Sequence, residues 1–410
     1  MTEASVIIVS RGRPTALTRC LTGVSQLLAV RFEIIVVADD AGIAAVMQAG
    51  WQGRIKLIPF DQANISAARN LGIQHAAGDV IAFIDDDAVP EPAWLARLTA
   101  PFHNPAVSAA GGFVRGRNGI SYQWRARDIH ADASSSDLTV SSDSPTVLTG
   151  RPGSGTKTEG TNMAFRRSVL AQMGGFDPAF RFYLDETDLN LRLAAHCHLT
   201  AIVPRAEVHH GFDASDRRRG DRVPQTLFDI GASLAIFLRK HFDGDHEMRL
   251  RSEVTQQRNR LMRHMIDGRI EPGDVDRLLQ TLLAGWDDGT TRPMTTMAPI
   301  GSPILPFLAL QPNAAPAQHR IVAVQRKLAG IGHEQAAKLV KEGYLVSLYI
   351  FSMTALYHRI RFHRAGYWVQ EGGLFGRSER DDPLWQYWTH SDRLEREVAR
   401  RTIFRTIDEP

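Results

Sequence analysis

At 410 residues, 43% hydrophobic and 23% charged, the chain is long enough for two globular domains, each with its own core. Its net charge of +3 is too small for a nonspecific nucleic-acid binder, so no nucleic-acid partner is expected, although arginine is strongly preferred over lysine. The two isolated cysteines, Cys20 and Cys197, make neither a disulfide scaffold nor a thiolate metal site.

Residues 5–10, SVIIVS, read as an opening β-strand that stops at Arg11, Gly12, Arg13 and Pro14. A strand so near the first residue leaves no room for a signal peptide, so residence in the cytosol is the expectation. A helix follows with Leu17, Leu21, Val24, Leu27 and Leu28 on its apolar face, then a second strand over 32–37 that ends at Ala38, Asp39 and Asp40. Helix 42–49, strand 54–58 and helix 65–76 come next. The last of these opens in NISAARN, residues 64–70, where Asn64 or Ser66 can cap the helix and Arg69 can approach a phosphate or pair with an aspartate. No Gly-x-Gly-x-x-Gly and no Walker loop follows the first strand, so dinucleotide and ATPase readings lose their strongest support.

The chain is organised around residues 78–90, GDVIAFIDDDAVP. A short apolar run reads as a buried strand delivering Asp85, Asp86 and Asp87 at its carboxyl end. Three adjacent carboxylates repel one another and resist burial, and a bound cation would relieve both costs; a solvated turn is the alternative. Repetition of strand, charged terminus and helix predicts an open α/β sheet with its ligand at the carboxyl ends of the strands.

Helix 94–102 and a glycine-interrupted strand over 107–114 lead into a polar stretch, 115–158. Its part 133–144 is rich in Ser, Asp and Thr and reads as a mobile loop near the substrate or as a spacer. In EGTNMAFRR, residues 159–167, Gly160 allows a close backbone approach and Asn162 can offer both an amide donor and a carbonyl acceptor to a sugar. The turn MGGFDP, 173–178, precedes a helix that starts near Asp185, Glu186 and Asp188, where a carboxylate facing the cation could take a proton from an acceptor hydroxyl. His209 and His210 lie at a strand or loop end, and a neutral imidazole there could complete a cation site.

Taken together, these segments make residues 5–215 resemble an inverting glycosyltransferase of family 2 type with the GT-A fold. Arg11-Gly12-Arg13 stands where the family frequently has Thr-Tyr-Asn, and the resemblance implies that Ser10, Arg11 and Arg13 at the end of the first strand touch the nucleotide. Asp39 matches the base-contacting aspartate, with Ala38 replacing an acidic neighbour, and Arg69 and Asn70 stand as in the family's helix before the metal strand. Asp85 and Asp87 match the metal- and diphosphate-holding carboxylates, Asp86 a donor contact, and Arg69 and Asn162 further donor contacts. GGFDPAF through DETDL matches the acidic pair with the catalytic base; the order is Asp-Glu where Glu-Asp is usual, which leaves both acids as candidates, and counting through GGFD and the following Asp-Leu favours Glu186 with Asp185 second. Val208-His209-His210 matches the segment that supplies a metal-binding histidine, His210 first and His209 second.

The resemblance implies Mg2+ or Mn2+ as cofactor and a nucleotide-sugar donor, UDP-linked by first choice with deoxythymidine or guanosine diphosphate as alternatives. The acceptor would be a glycan or lipid-linked sugar. It divides the chain into an α/β GT-A domain, 1–216, and a predominantly helical extension, 217–410.

In that extension, helices are predicted over 226–239 and 246–266, and from Pro272 onward. An irregular connection spans 286–318. Further helices are expected over 319–328 and 335–341, and the apolar run 344–357, YLVSLYIFSMTALY, reads as a buried helix or one lying on a membrane surface. A final helix-like stretch covers 384–401. The extension is expected to cover the catalytic domain, to bind acceptor, to contact biosynthetic partners or a second copy of the chain, or to sit at the cytoplasmic face of a membrane. The competing functional readings are a nucleotide-sugar- or glycan-binding protein without turnover and an assembly scaffold.

Overall fold

The computed structural model describes residues 3–211, 213–294, 296–311 and 318–407. Its first half is an α/β unit. β1 (Ala4–Ser10), α1 (Pro14–Val24), β2 (Phe32–Ala38), α2 (Asp40–Gln48), β3 (Lys56–Pro59), α3 (Ile65–His75) and β4 (Val80–Asp85) alternate as predicted. β2 is buried along its whole length, and β1 and β4 nearly so, as all-parallel strands covered on both faces must be. Ile7 of β1 lies opposite Ile35 of β2 and Phe83 of β4, and Gly72 lets α3 press onto Ile7, where a Cβ would sit 2.8 Å from Cγ2.

A short strand β5 (Ala88–Pro90), α4 (Trp94–Thr99) and β6 (Val107–Arg115) follow. The polar stretch then holds β7 (Tyr122–Trp124), β8 (Arg127–His130), β9 (Ser135–Asp137), β10 (Thr146–Thr149) and β11 (Ser154–Lys157). β8, β9 and β11 form a separate three-stranded sheet, so this region has more structure than a spacer. β12 (Met163–Arg166), α5 (Arg167–Gln172), α6 (Asp185–Ala195) and β13 (Leu199–His210) complete the unit.

The main sheet runs β10-β13-β6-β12-β4-β1-β2-β3. β12 is antiparallel to both its neighbours, β4 and β6, while β1, β2, β3 and β4 are mutually parallel. The chain lays down β1, β2 and β3 in one direction and then returns to the other side of β1 as β4. The carboxyl ends of β1 and β4 therefore flank a topological switch point, where open α/β sheets bind ligands. β5 pairs with β13 so that Ala88 faces His210, which fixes the acidic triplet beside that histidine.

Beyond residue 216 come α7 (Phe228–His241), α8 (His246–Ile266) and α9 (Pro272–Thr291), close to their predicted spans. α7 and α9 touch backbone to backbone: a Cβ at Gly285 would lie 1.9 Å from the Phe228 carbonyl oxygen, and one at Gly231 2.0 Å from that of Leu282. Their apolar faces share a core with Phe180, Leu184 and Leu191 of the catalytic half.

The connection after α9 is irregular but firmly held. The amides of Ile300, Ile304 and Leu310 donate to the carbonyls of Ala171, Gln74 and Phe32, at 2.9, 2.9 and 2.8 Å. The Leu308 amide donates to buried Glu33 at 2.9 Å. This strap runs past the amino end of β2, away from the switch point.

The last part departs from the helical expectation. β14 (His319–Gln325), β15 (Leu345–Ser352), β16 (Arg359–His363) and β17 (Tyr367–Gly373) form a four-stranded sheet, accompanied by α10 (Ala329–Lys341) and α11 (His390–Arg405). The apolar run expected to be a helix is β15, buried along seven successive residues between the parallel strands β14 and β17. A short apolar run reads equally as buried strand or buried helix, and the aromatic and β-branched content of LVSLYIFS decides for the strand. Residues 319–328, also expected to be helical, are β14 and one 3-10 turn. None of the described helices is long and apolar enough to cross a membrane.

Candidate active site

A cavity of about 590 Å3 opens at the switch point. At one end, Asp85 closes β4 and its Oδ2 accepts from Thr161 Oγ1. Asp87 Oδ2 accepts from Arg13 Nη1 (3.1 Å) and the Asp213 amide (3.0 Å), and its Oδ1 lies 3.1 Å from His210 Nε2. His210 Nδ1 faces Gln123 Oε1 at 3.0 Å, so Nε2 is the nitrogen turned to the carboxylates. One ligand atom from each of Asp85, Asp87 and His210 lies within 4.8 Å of the others. Two carboxylates and an imidazole with an outer hydrogen bond are a donor set that suits a divalent cation such as Mg2+ or Mn2+. Burial opposes charge on Asp87, but His210 and Arg13 outweigh it and hold the carboxyl well below the usual range.

The opposite end is built by the two motifs that flank the metal strand, which interlock. Asn70 Nδ2 donates to the Phe176 carbonyl (2.6 Å) and its Oδ1 accepts the Phe176 amide (2.8 Å). Asn64 Nδ2 donates to Pro178 O at 2.9 Å and Ser66 Oγ to Phe180 O at 2.6 Å. The NISAARN helix thus cradles the loop after GGFDP. That loop reaches α6 through Tyr183 and Leu184, both left-handed with φ of 72° and 63°, a backbone state bulky residues seldom adopt.

Asp185 and Glu186 begin α6 with different surroundings. Asp185 is buried against Arg69. Burial pushes its carboxyl up to about 7 against the pull of Arg69. Glu186 lies along the cavity wall with Lys157 Nζ 3.6 Å from its Oε1. Burial disfavours its charge, but Lys157 and Arg69 prevail and lower its pKa. An ionised carboxylate facing the cavity is placed to accept a proton, whereas Asp185 is engaged inside the wall.

Arg69 is correspondingly a link between the two ends. It pairs with Asp185, lies 3.5 Å from Asp85 and donates to Gly160 O at 3.3 Å. Gly160 has no room for a side chain, since a Cβ would meet Arg69 Nη2 at 2.8 Å. Of the two roles open to Arg69 in the sequence, pairing with aspartate is the one observed.

Ser10, Arg11 and Arg13 line the cavity after β1. Arg11 pairs with Asp61 at 3.1 Å and Asp216 at 3.4 Å. Ser10 Oγ and Arg13 Nε both donate to Asp86 Oδ2, at 2.6 and 3.1 Å. Asp86 itself is fully buried and does not line the cavity; burial pushes its carboxyl up to about 7, and it ties the end of β1 to the end of β4. Three other candidates also stand off the wall. Asp39 caps α2, accepting from the amides of Gly42 (2.9 Å) and Gly12 (2.7 Å). Asn162 is fully buried, its amide donating to the carbonyls of Phe113 and Ala206 and its Oδ1 accepting from Trp94 Nε1. Every polar atom of that side chain is spent inside the protein, so it is not free for a sugar. His209 points to the other side of β13 and meets Glu91 Oε1 at 2.9 Å. Lys157, Gln123, Thr161 and Arg127 belong to the wall but carry no motif that would have singled them out.

Asp188, two residues beyond Glu186, anchors α6 to α7. It is fully buried and lies 2.8 Å from Lys240 Nζ, 2.8 Å from His241 Nε2 and 2.9 Å from Arg192 Nε. Burial disfavours its charge, but Arg192, the His241 hydrogen bond and Lys240 hold its carboxyl far below the usual range. A depressed carboxyl stabilises the fold fully above its unfolded value of about 3.9, and that stabilisation is lost as pH falls toward the folded value. Chemical denaturation between pH 6 and about pH 3 is expected to show a steep acid loss of stability that Asp188→Asn makes shallower.

Residues 5–174 match the family model described as glycosyl transferase family 2. The succinoglycan biosynthesis protein ExoM of Rhizobium meliloti is 34% identical over 110 residues, which are 25% of this chain and 35% of that protein. The glucosyl-dolichyl phosphate glucuronosyltransferase of Haloferax volcanii is 32% identical over 124 residues, 28% of this chain and 36% of that protein. The chain thus spans only 35% and 36% of the length of these two relatives. The uncharacterized glycosyltransferase YwdF of Bacillus subtilis is 29% identical over 229 residues, 53% of this chain and 78% of that protein. A mannosyltransferase from Pyrobaculum calidifontis, solved with GDP-Man and Mn2+, is 15% identical and aligns over 70% of this chain and 87% of that one with a TM-score of 0.42. With its parallel strands, the antiparallel β12 inserted among them and a switch-point cavity, the segment 5–174 is similar to glycosyl transferase family 2, and the mixed α/β unit built on it is of the fold class that the GT-A resemblance implies.

Proposed function

We propose that the chain transfers a sugar from a nucleotide diphosphate sugar to a hydroxyl of a glycan or lipid-linked acceptor, with inversion at the anomeric carbon. The observation that carries this reading is one cavity lined both by a cation-type donor set and by Glu186, a carboxylate whose pKa is lowered by Lys157 and Arg69. Asp85, Asp87 and His210 would hold Mg2+ or Mn2+, which supplies neutralising charge for a leaving diphosphate. Val37 and Phe60 line the cavity and offer an apolar wall to the nucleoside base, with uridine the first choice. Glu186 accepts the proton of the attacking hydroxyl while that oxygen bonds to the anomeric carbon. The bond to the diphosphate oxygen breaks on the opposite face, and its electron pair leaves with the nucleoside diphosphate. Arg69 holds Asp185 in place, and Lys157 favours the charged form of Glu186. The relatives named for succinoglycan biosynthesis and for glucuronosyl transfer support a glycan or lipid-linked acceptor.

The test is mass-resolved turnover of a nucleotide-sugar panel with Mg2+ or Mn2+ and pooled cellular acceptors. A transferred sugar of inverted configuration supports the reading. Donor binding without transfer to any acceptor would show a binding protein instead. Asp87→Asn is expected to weaken Mn2+ binding, read by electron paramagnetic resonance, by about tenfold or more, since one of three ligands loses its charge.

A further inference from the structure

We propose that the acceptor carries an anionic group, a carboxylate or a phosphate, held beside Glu186 by Arg260 of α8 and Arg181 of the loop before α6. The inference deepens the transferase reading and rests on Glu186 marking the acceptor end.

Charge accounting in the cavity wall leads to it. Arg127 pairs with Glu159, Lys157 lies between Glu159 (3.8 Å) and Glu186 (3.6 Å), and Arg217 pairs with Asp229 at 2.5 Å. These cations are matched by carboxylates. Arg260 and Arg181 also line the cavity, and among the described residues neither has an ion pair. Among the described residues, the side chain of Arg260 donates a hydrogen bond to Gln257 Oε1 of its own helix, at 3.3 Å. Arg260 is only partly exposed and feels the charges of Tyr183 and Glu253, but Glu253 is already paired with Arg249 at 3.2 Å. Arg127 Nε is buried with no hydrogen-bond partner among the described residues. The cavity wall that Glu186 and Tyr183 share with these arginines thus holds guanidinium charge outside any ion pair and an unused donor. A half-buried Arg260 and an exposed Arg181, neither in an ion pair, are groups an oxyanion would satisfy through paired N–H donors. The diphosphate of the donor does not account for them, because its proposed place is with Asp85, Asp87 and His210.

The experiment titrates the full chain, saturated with UDP and Mn2+, with methyl glucuronoside, glucose 1-phosphate and methyl glucoside at constant ionic strength, read by saturation-transfer NMR. At least one anionic probe is expected to bind about tenfold more tightly than the neutral one. Arg260→Gln combined with Arg181→Gln is expected to remove that preference, leaving methyl glucoside and UDP binding unchanged. Preference for the glucuronoside identifies a uronate acceptor, and preference for the phosphate a phosphoryl-linked one. Equal binding of all three probes, no binding of either anion, or a preference that survives in the double variant overturns the proposal. The same titration with methyl glucuronoside in the absence of UDP reads the preference independently. A chain that fails to bind UDP therefore counts against the transferase reading, while the anion preference stands or falls separately.

Discussion

Glu186→Gln is expected to reduce sugar transfer by about two to four orders of magnitude, the usual worth of a positioned general base, while donor and cation binding survive. The substitution keeps shape and the contact with Thr187 Oγ1, and what it removes is the charge that Lys157 approaches at 3.6 Å and that Arg69 and Asp185 also feel. Asp85, Asp87 and His210 keep all their own partners. The neighbouring Asp185→Asn behaves differently, because it removes charge from the buried Arg69 pair and should lower stability as well as rate. Single-turnover rates and nucleotide affinity measured side by side separate the two. Loss of transfer in Asp185→Asn alone, at unchanged stability, would move the base to that residue.

The second large effect lies far from the chemistry. Arg405→Met is expected to destabilise the chain by about 3–5 kcal/mol, the cost of leaving one member of a buried ion pair alone. Glu91 is fully buried and accepts from Arg405 Nε (2.9 Å), Arg405 Nη2 (3.3 Å) and His209 Nε2 (2.9 Å). Burial opposes its charge, yet Arg405 and His209 keep its carboxyl well below the usual range. Arg405 also donates to Ser347 Oγ at 2.6 Å and lies 4.8 Å from the Trp368 ring, so one side chain joins α11, β15 and β17 to the catalytic half. Equilibrium unfolding in urea is the measurement. The double variant with Glu91→Met should lose less than the sum of the single losses, because no buried charge is then left unpaired.

The catalytic fold was largely legible because its signals are local. β-branched runs closed by charged residues define β1, β2 and β4, and Asp85, Asp87, the pair that opens α6 and His210 all line the cavity. Asn162, His209 and Asp39 stand off the cavity wall for one shared reason. Each carries the chemistry expected of a ligand contact, but which face of its strand or loop is buried depends on partners remote in sequence: Trp94 for Asn162, Glu91 for His209 and Gly12 for Asp39. Arg69 illustrates the same limit, since only folding brings Asp185 to it across 116 positions. The small C-terminal sheet was missed because a single apolar run such as that of β15 is compatible with two periodicities.

The strap of residues 296–311 bears on how this chain can be divided. A fragment ending at residue 216 would keep every residue proposed for the chemistry. It would lose the amide that satisfies Glu33, the guanidinium that satisfies Glu91 and the two cations of α7 that satisfy Asp188. Three buried carboxylates in three parts of the sheet unit draw part of their hydrogen-bond and ion-pair partners from the later sequence, beside Lys56, His209 and Arg192 of the sheet unit itself. In modular terms the catalytic half is not a cassette that can be lifted out and fused elsewhere: what is inherited, expressed or engineered as an enzyme is the chain from the first strand through the last helix.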